Sequence, residues 1–177
     1  MDEEFVLMSF ELKMETKQND WILNSGASNH MTNSLDGFKE MQTVHQKVTV
    51  GNGKKIAVVQ SGMWEGYVKN ANGKQQKVIL EKVDYVPNLV WNLFSLTMAL
   101  TNNWKTSGNK NGIQIRKGNW EIHFNKRVNG KTGFVFSTTF MTTLDIAIVM
   151  MNQERKKMTY KQAHLLLGHP SKEIDRE

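Results

Sequence analysis

The feature that most constrains the fold of this chain is a set of short turns rich in glycine and asparagine. Gly51-Asn52-Gly53, Asn72-Gly73 and Gly118-Asn119 each separate two stretches with the composition of β-strands. Asparagine and glycine adopt the left-handed backbone conformation that tight hairpin turns require. The sequence therefore predicts a mainly β domain, either a barrel or a sandwich. The strands expected around these turns are 47–50, 55–60, 65–69, 76–83, 112–117, 121–125 and 133–137.

One short helix is expected to interrupt the strands. Leu93, Leu96, Leu100 and Trp104 recur at spacings of three or four residues, which is typical of one face of a helix. The spacing predicts a helix that begins near Asn92.

The C-terminal part differs in character from the β domain. Thr159 and Gln162 form a capping box, and Gly168 lies just beyond, so a separate helix is expected over Tyr160–Leu167. We divide the chain into an acidic leader (1–20), a β domain (21–140) and a linker with a helical tail (141–177).

The composition excludes several classes of site. The 177 residues contain no cysteine, which excludes disulfides, a thiol nucleophile and cysteine-bearing zinc sites. No apolar stretch approaches the roughly 18 residues of a membrane-spanning helix, and the N-terminus does not resemble a signal peptide. We expect a soluble cytoplasmic protein without a cofactor. The net charge is +6, and it favours either an acidic partner such as nucleic acid or simply a solvated lysine-rich surface.

The stretch with the most chemical information begins at Trp21. An apolar strand, Trp21-Ile22-Leu23, leads into Asn24-Ser25-Gly26-Ala27-Ser28, where Gly26 allows a tight turn. Four further segments follow in order: Val48-Thr49-Val50-Gly51-Asn52-Gly53, Tyr85-Val86-Pro87-Asn88-Leu89, Asn92-Leu93-Phe94-Ser95 and Leu167-Gly168-His169-Pro170-Ser171.

In this order the segments resemble the protease-to-integrase stretch of copia-type LTR-retrotransposon Gag-Pol polyproteins. The match continues through His30, Met31 and Thr32 and covers roughly residues 21–171. The resemblance implies a retropepsin-like closed β-barrel with one short helix, active as a homodimer, followed by the start of the pre-integrase region. It also implies an aspartic endopeptidase that cleaves peptide segments of its own polyprotein inside a cytoplasmic virus-like particle.

Asn24 stands where this family has its catalytic aspartate. In such proteases two aspartates, one from each subunit, share a proton and act as general base and general acid. The side-chain amide of asparagine acts as neither a general base nor a general acid near neutral pH. We therefore predict that a homodimer of this chain is inactive. The resemblance assigns the catalytic loop to Asn24, Ser25 and Gly26, and the substrate contacts to Ala27, Val50, Gly51, Asn52 and Gly53.

The remaining polar candidates are expected to have structural roles. His30 has no nucleophile or acid arranged beside it in the sequence. His164 and His169 resemble the start of a zinc module that two cysteines complete in the family, and this chain has none, so we expect no metal. Three aspartates do not belong to an Asp-Ser/Thr-Gly motif, so we expect them at the surface or at caps. They are Asp36, Asp84 and Asp145.

Two other functions remain open from the sequence. A barrel without catalytic power could bind peptides or dimerise, and Asn24 favours that alternative. A basic nucleic-acid-binding domain is the other, although nucleic acid is not the expected partner of a protease domain. For the protease, the Met/Thr/Ile/Val-rich stretch 139–151 is a plausible cleavage region.

Overall fold

A computed structural model describes residues 19–51, 53–130 and 133–157. Strands dominate these residues, and the predicted mainly β class is confirmed. The strands are β1 (Asp20–Asn24), β2 (His30–Thr32), β3 (Phe38–Thr49), β4 (Lys55–Lys69), β5 (Gln75–Tyr85), β6 (Asn92–Ser95), β7 (Lys105–Asn109), β8 (Gly112–Lys117), β9 (Trp120–Phe124), β10 (Lys126–Asn129) and β11 (Phe134–Thr139). The helices are α1 (Leu96–Thr101) and α2 (Thr143–Lys157).

The strands form two sheets. Eight strands form one sheet in the order β10-β11-β1-β6-β2-β5-β4-β3, and β7-β8-β9 form a smaller antiparallel sheet. The end strands of the larger sheet are therefore β10 and β3, and the closure of a barrel between them stays a prediction.

Each of the three turns joins two antiparallel strands, as predicted. The register runs to Thr49 opposite Lys55 in the first hairpin. In the second hairpin the last paired residues are Lys69 and Gln75, and in the third they are Lys117 and Trp120. Gly118 has a φ of 58°, a left-handed value that explains why glycine is needed at that turn.

The predicted helix near Asn92 is shorter than the apolar spacing suggested. Asn92–Ser95 is strand β6, and the helix begins only at Leu96. All four residues of β6 are buried, because the strand lies between two others in the centre of the sheet. A short apolar run of this kind cannot be told from a buried helix by its periodicity alone.

Two clusters of buried apolar side chains lie on the two sides of β1 and β6. Trp21 and Phe94 belong to an aromatic cluster with Trp64, Phe124 and Phe140. Their sequence neighbours Ile22 and Leu93 belong to a second, aliphatic cluster. Successive residues of a strand point to opposite faces, so each central strand is anchored on both sides. The remaining members of the aliphatic cluster are Ala27, Met31, Val48, Ile56, Val58, Val86 and Leu89.

The chain divides into two compact units, with the boundary after Thr143. Helix α2 occupies most of the stretch for which the sequence predicted a linker, and Asp145 lies in its first turn, where a carboxylate favours the helix dipole. The helix expected over Tyr160–Leu167 lies outside the described residues. Within the described part of the chain, no helix is long and apolar enough to cross a membrane.

Candidate functional site

The loop between β1 and β2, which we call the 24–29 loop, is held by a strand that lies between its two arms. β6 pairs in parallel with β1, with Asn24 opposite Ser95. It also pairs antiparallel with β2, where Leu93 is opposite Met31. Because β6 is bonded to both arms, the loop leaves and re-enters the centre of the sheet at fixed positions. Asn24 is the last residue of β1 and so stands at the start of the loop.

Asn24 makes a tight local turn. Its side-chain Oδ1 accepts a hydrogen bond from the main-chain N–H of Gly26 at 2.7 Å. Ser25 and Gly26 are exposed at the tip, whereas Ala27 is buried in the aliphatic cluster. The three residues that the resemblance assigns to a catalytic loop are therefore consecutive at an accessible turn, and the side chain at position 24 is an amide.

Ser95 fixes the far side of the loop. Its buried hydroxyl donates to the main-chain carbonyl of Ala27 at 2.5 Å and accepts from the N–H of Met98 at 3.0 Å, so it also caps α1. Two residues further along the chain, the Thr97 hydroxyl donates to the carbonyl of Ser25 at 3.0 Å. The start of α1 thus binds two carbonyls of the loop. The sequence analysis named Ser95 only as the last residue of the segment Asn92-Leu93-Phe94-Ser95 and gave it no role in the loop.

His30 is buried and structural, as expected. Its Nδ1 accepts a hydrogen bond from the main-chain N–H of Ser95 at 3.0 Å, and its ring lies 4.4 Å from that of Phe94, centroid to centroid. Burial lowers the pKa of His30 from 6.5 to about 3. The imidazole is therefore neutral near neutral pH, and because Nδ1 is the acceptor, the ring proton is on Nε2.

Asp84 is the site residue that the sequence analysis placed wrongly. It was expected at the surface or at a cap, but it is only 2% exposed on β5, opposite Met31. Its Oδ2 accepts a hydrogen bond from Asn29 Nδ2 at 2.9 Å, at the second arm of the loop. Burial raises the pKa of the Asp84 carboxyl, and hydrogen bonds from Asn29 and Ser61 oppose that shift. The sequence offered no signal, because the partners lie 55 and 23 residues away.

The β3–β4 hairpin carries the residues assigned to the substrate-covering flap. The N–H of Val50 donates to the carbonyl of Lys54 at 2.9 Å, and the N–H of Gly53 donates to the carbonyl of Val50 at 2.8 Å. Asn52 lies outside the described residues. Val48, Ile56 and Val58 are buried in the same aliphatic cluster as Ala27, and Val50 packs against it. The predicted flap and the predicted catalytic loop therefore share one apolar cluster.

The other candidates stay outside this site or outside the description. Asp36 is exposed and accepts a hydrogen bond from Ser34 Oγ, which fits the expected surface role. Asp145 lies in the first turn of α2. Residues 1–18 of the acidic leader, His164 and His169 lie outside the described residues, and Asp20, the last residue of the leader, begins β1. In the part of the chain that is described, no group of three or more His, Asp or Glu side chains could hold a metal ion.

Comparison with known proteins places the chain among retroelement sequences. Residues 21–104 match the family model described as Pol polyprotein, beta-barrel domain. The chain is also 26% identical over 156 residues to a retrovirus-related Pol polyprotein from transposon RE2 of Arabidopsis thaliana. The aligned region is 86% of this chain and 10% of that relative, so the chain spans about a tenth of the relative's length. The resemblance to a copia-type Pol polyprotein is thereby confirmed. No solved structure matches the chain.

Proposed function

We propose that this β domain, which lies in a retrotransposon Pol polyprotein, is an aspartic-protease domain made catalytically silent by Asn24. The observation that carries the proposal is the placement of β6 between the two arms of the 24–29 loop, with Asn24 at the end of β1. This arrangement holds one short polar turn rigidly at the centre of the sheet. Catalysis by two facing carboxyl groups needs such rigidity, because their separation determines whether they can share a proton.

A complete site requires two chains in this proposal. Each chain contributes one 24–29 loop, and a two-fold axis would bring the two Asn24 positions together. With aspartate at both positions, one carboxylate removes a proton from water while the other carboxyl group protonates the peptide oxygen. With asparagine at both, neither step has a proton acceptor or donor of suitable pKa. In this proposal the domain keeps its shape but loses the chemistry.

The hairpin tip is proposed to cover the bound peptide. Val50, Gly51 and Gly53 flank the turn, and glycine leaves the main chain open for hydrogen bonds to an extended peptide. The shared apolar cluster supports this role, because it couples Val50 on the hairpin to Ala27 on the loop. The proposed substrates are segments of the chain's own polyprotein, in a cytoplasmic particle.

Cleavage in trans tests this function. The Asn24 chain is itself the substrate when it is mixed with a tagged Asn24→Asp chain, because only the tagged chain can cut. We expect new termini within 135–155, the region around the Met/Thr/Ile/Val-rich stretch. Cuts confined to other regions would refute 135–155 as the cleavage region.

Sedimentation velocity on the Asn24 chain tests whether a dimer forms. A chain that stays monomeric up to 100 μM (~10⁻⁴ M, weaker than a typical specific complex) would contradict the two-chain site.

A second candidate is a peptide-binding module that never cuts. Asn24 is the observation that favours it, since the amide preserves the hydrogen bond to Gly26 without supplying an acid or base. The two functions separate when aspartate is restored. A chain that binds a peptide spanning residues 135–155 and leaves it intact, with either residue at position 24, would establish the module.

A further inference from the structure

A cavity of about 310 Å³ opens beside the aromatic cluster, away from the residues used in the proposed function. Trp104, which follows α1, and Trp120, which begins β9, line it together with Val78 and Leu80 of β5. Trp104 is half-buried and packs on the aromatic cluster, whereas Trp120 is 41% exposed. We call this space the Trp104–Trp120 cavity. Its size is at the lower end of the range for small-molecule sites and suits a single planar ring system.

A hydrogen-bond donor is among the residues that line this cavity. His30 lines it, and its Nδ1 is occupied by the N–H of Ser95, so the proton is on Nε2. Among the described residues, Nε2 has no hydrogen-bond partner. A ring N–H that borders a cavity and has no protein partner can donate to an acceptor atom of a ligand, such as a ring carbonyl.

One cation and one anion line the cavity. Lys117 is paired with Trp120 directly across the Gly118-Asn119 turn, so the two side chains lie on the same face of the hairpin. Glu81 is the acidic residue of the lining. The stretch from β7 to β9, residues 105–124, carries four lysines and arginines against one glutamate, Glu121, which pairs with Arg116. A polyanion is therefore attracted to the β7–β9 sheet as a whole.

We propose that the Trp104–Trp120 cavity binds an unpaired base of a single-stranded nucleic acid. Aromatic side chains that stack on bases, combined with lysines that contact the backbone phosphates, are the common means of binding single strands. A nucleobase supplies the planar ring for the two indoles and a carbonyl acceptor for His30 Nε2. A phosphate beside it meets Lys117. A phenylalanine side chain would fill the same walls, but its ring has no acceptor atom for His30 Nε2.

Fluorescence anisotropy with the unaltered Asn24 chain tests this proposal. The probes are labelled 15-mers of uridine RNA and thymidine DNA, in a salt series. Trp120→Ala should weaken binding by about 10-fold or more, while Trp120→Phe, which keeps an aromatic face, should stay close to the parent. Lys117→Gln should reduce the slope of the logarithm of the binding constant against the logarithm of the salt concentration by about one, as expected for the loss of one phosphate contact. Lys39→Gln, an exposed lysine on β3, is the matched control and should bind as the parent does.

Three outcomes would overturn the proposal. One is the absence of binding at low salt, and another is equal binding by Trp120→Ala and the parent, which would leave only attraction to a basic surface. The third is equally tight, Trp120-dependent binding of an acidic peptide that contains phenylalanine, which would assign the cavity to peptides. Uridine monophosphate is added as a competitor of the labelled 15-mer. Displacement of the 15-mer would indicate recognition of a free nucleotide, and its retention would indicate recognition of a strand. Because the assay uses the inactive chain, its result is independent of the proposed protease function.

Discussion

The side-chain Oδ1 of Asn24 accepts a hydrogen bond from the main-chain N–H of Gly26 at 2.7 Å. A carboxylate oxygen in the same place can accept the same bond, since asparagine and aspartate share this geometry. The loop is therefore built in a way that tolerates either residue. The difference between the two lies in the second side-chain atom, an amide nitrogen in one case and a potential acid or base in the other.

The first prediction is that Asn24→Asp leaves the fold intact. The free energy of unfolding, measured with urea, should differ from that of the parent by less than about 1 kcal/mol, because the bond to Gly26 is kept. Asn24→Ala, which removes the acceptor, should cost about 1 kcal/mol. If Asn24→Asp is as destabilised as Asn24→Ala, the turn does not accept aspartate as described.

Ser95→Ala should destabilise the chain and loosen the loop. The substitution removes the cap of α1, which is worth about 1–2 kcal/mol, and leaves the buried carbonyl of Ala27 without its donor. Ser107→Ala removes an exposed hydroxyl on β7 and is the control, with an expected change below about 0.5 kcal/mol. Equal losses in the two variants, measured by urea unfolding, would show that Ser95 has no special role.

The close approach of β3 and β4 predicts that Gly62→Ala is severely destabilising. A Cβ at position 62 would lie 1.8 Å from the main-chain oxygen of Glu40, so one strand of the hairpin must shift. We expect a loss of about 3 kcal/mol or more. Gly133→Ala is the matched control, because a Cβ there would meet nothing within 4 Å. Thermal unfolding of both variants checks the prediction, and a Gly62→Ala chain as stable as the control would contradict the register of the hairpin.

His30 should make stability depend on pH. Its pKa is about 3 in the folded chain and 6.5 as the reference value, so the unfolded chain binds more protons between these values. The stabilisation that the neutral His30 side chain contributes to the folded chain is therefore complete above pH 6.5 and is lost as the pH falls toward 3. The stability gap between the parent and His30→Gln should narrow by about 2.5 kcal/mol from pH 7 to pH 4.5. A gap that stays constant over this range would contradict the neutral, buried imidazole.

The hairpins were predictable from the sequence because their signals are local. Asn72-Gly73 and Gly118-Asn119 determine their own turns, and the flanking strands need only neighbouring residues. Strand β6 was not predictable as a strand, because its conformation follows from its insertion between β1 and β2, which are distant in the chain. Asp84 was misplaced for the same reason. It lies on β5 between β2 and β4 and is hydrogen-bonded to Asn29, and no short-range pattern connects these segments.

The residues of the 24–29 loop could be located from the sequence, whereas the residues that hold the loop in place could not. Asn24, Ser25 and Gly26 form one consecutive motif, so the resemblance located them together. Ser95 and Thr97 bind the loop from more than 65 residues away. Long-range hydrogen bonds of this kind depend on tertiary packing, which a single sequence does not specify.

Intact mass over time, at pH 5.5 and pH 7, tests the central claim most directly. Three chains are compared: the parent, Asn24→Asp, and Asn72→Asp, which makes the same amide-to-carboxyl change at an exposed hairpin turn. We predict that only Asn24→Asp fragments, and that a pepstatin-type inhibitor stops it. Fragmentation of all three chains would indicate a contaminating protease. An Asn24→Asp chain that folds, dimerises and stays intact would contradict the assignment of the 24–29 loop as an aspartic-protease active site.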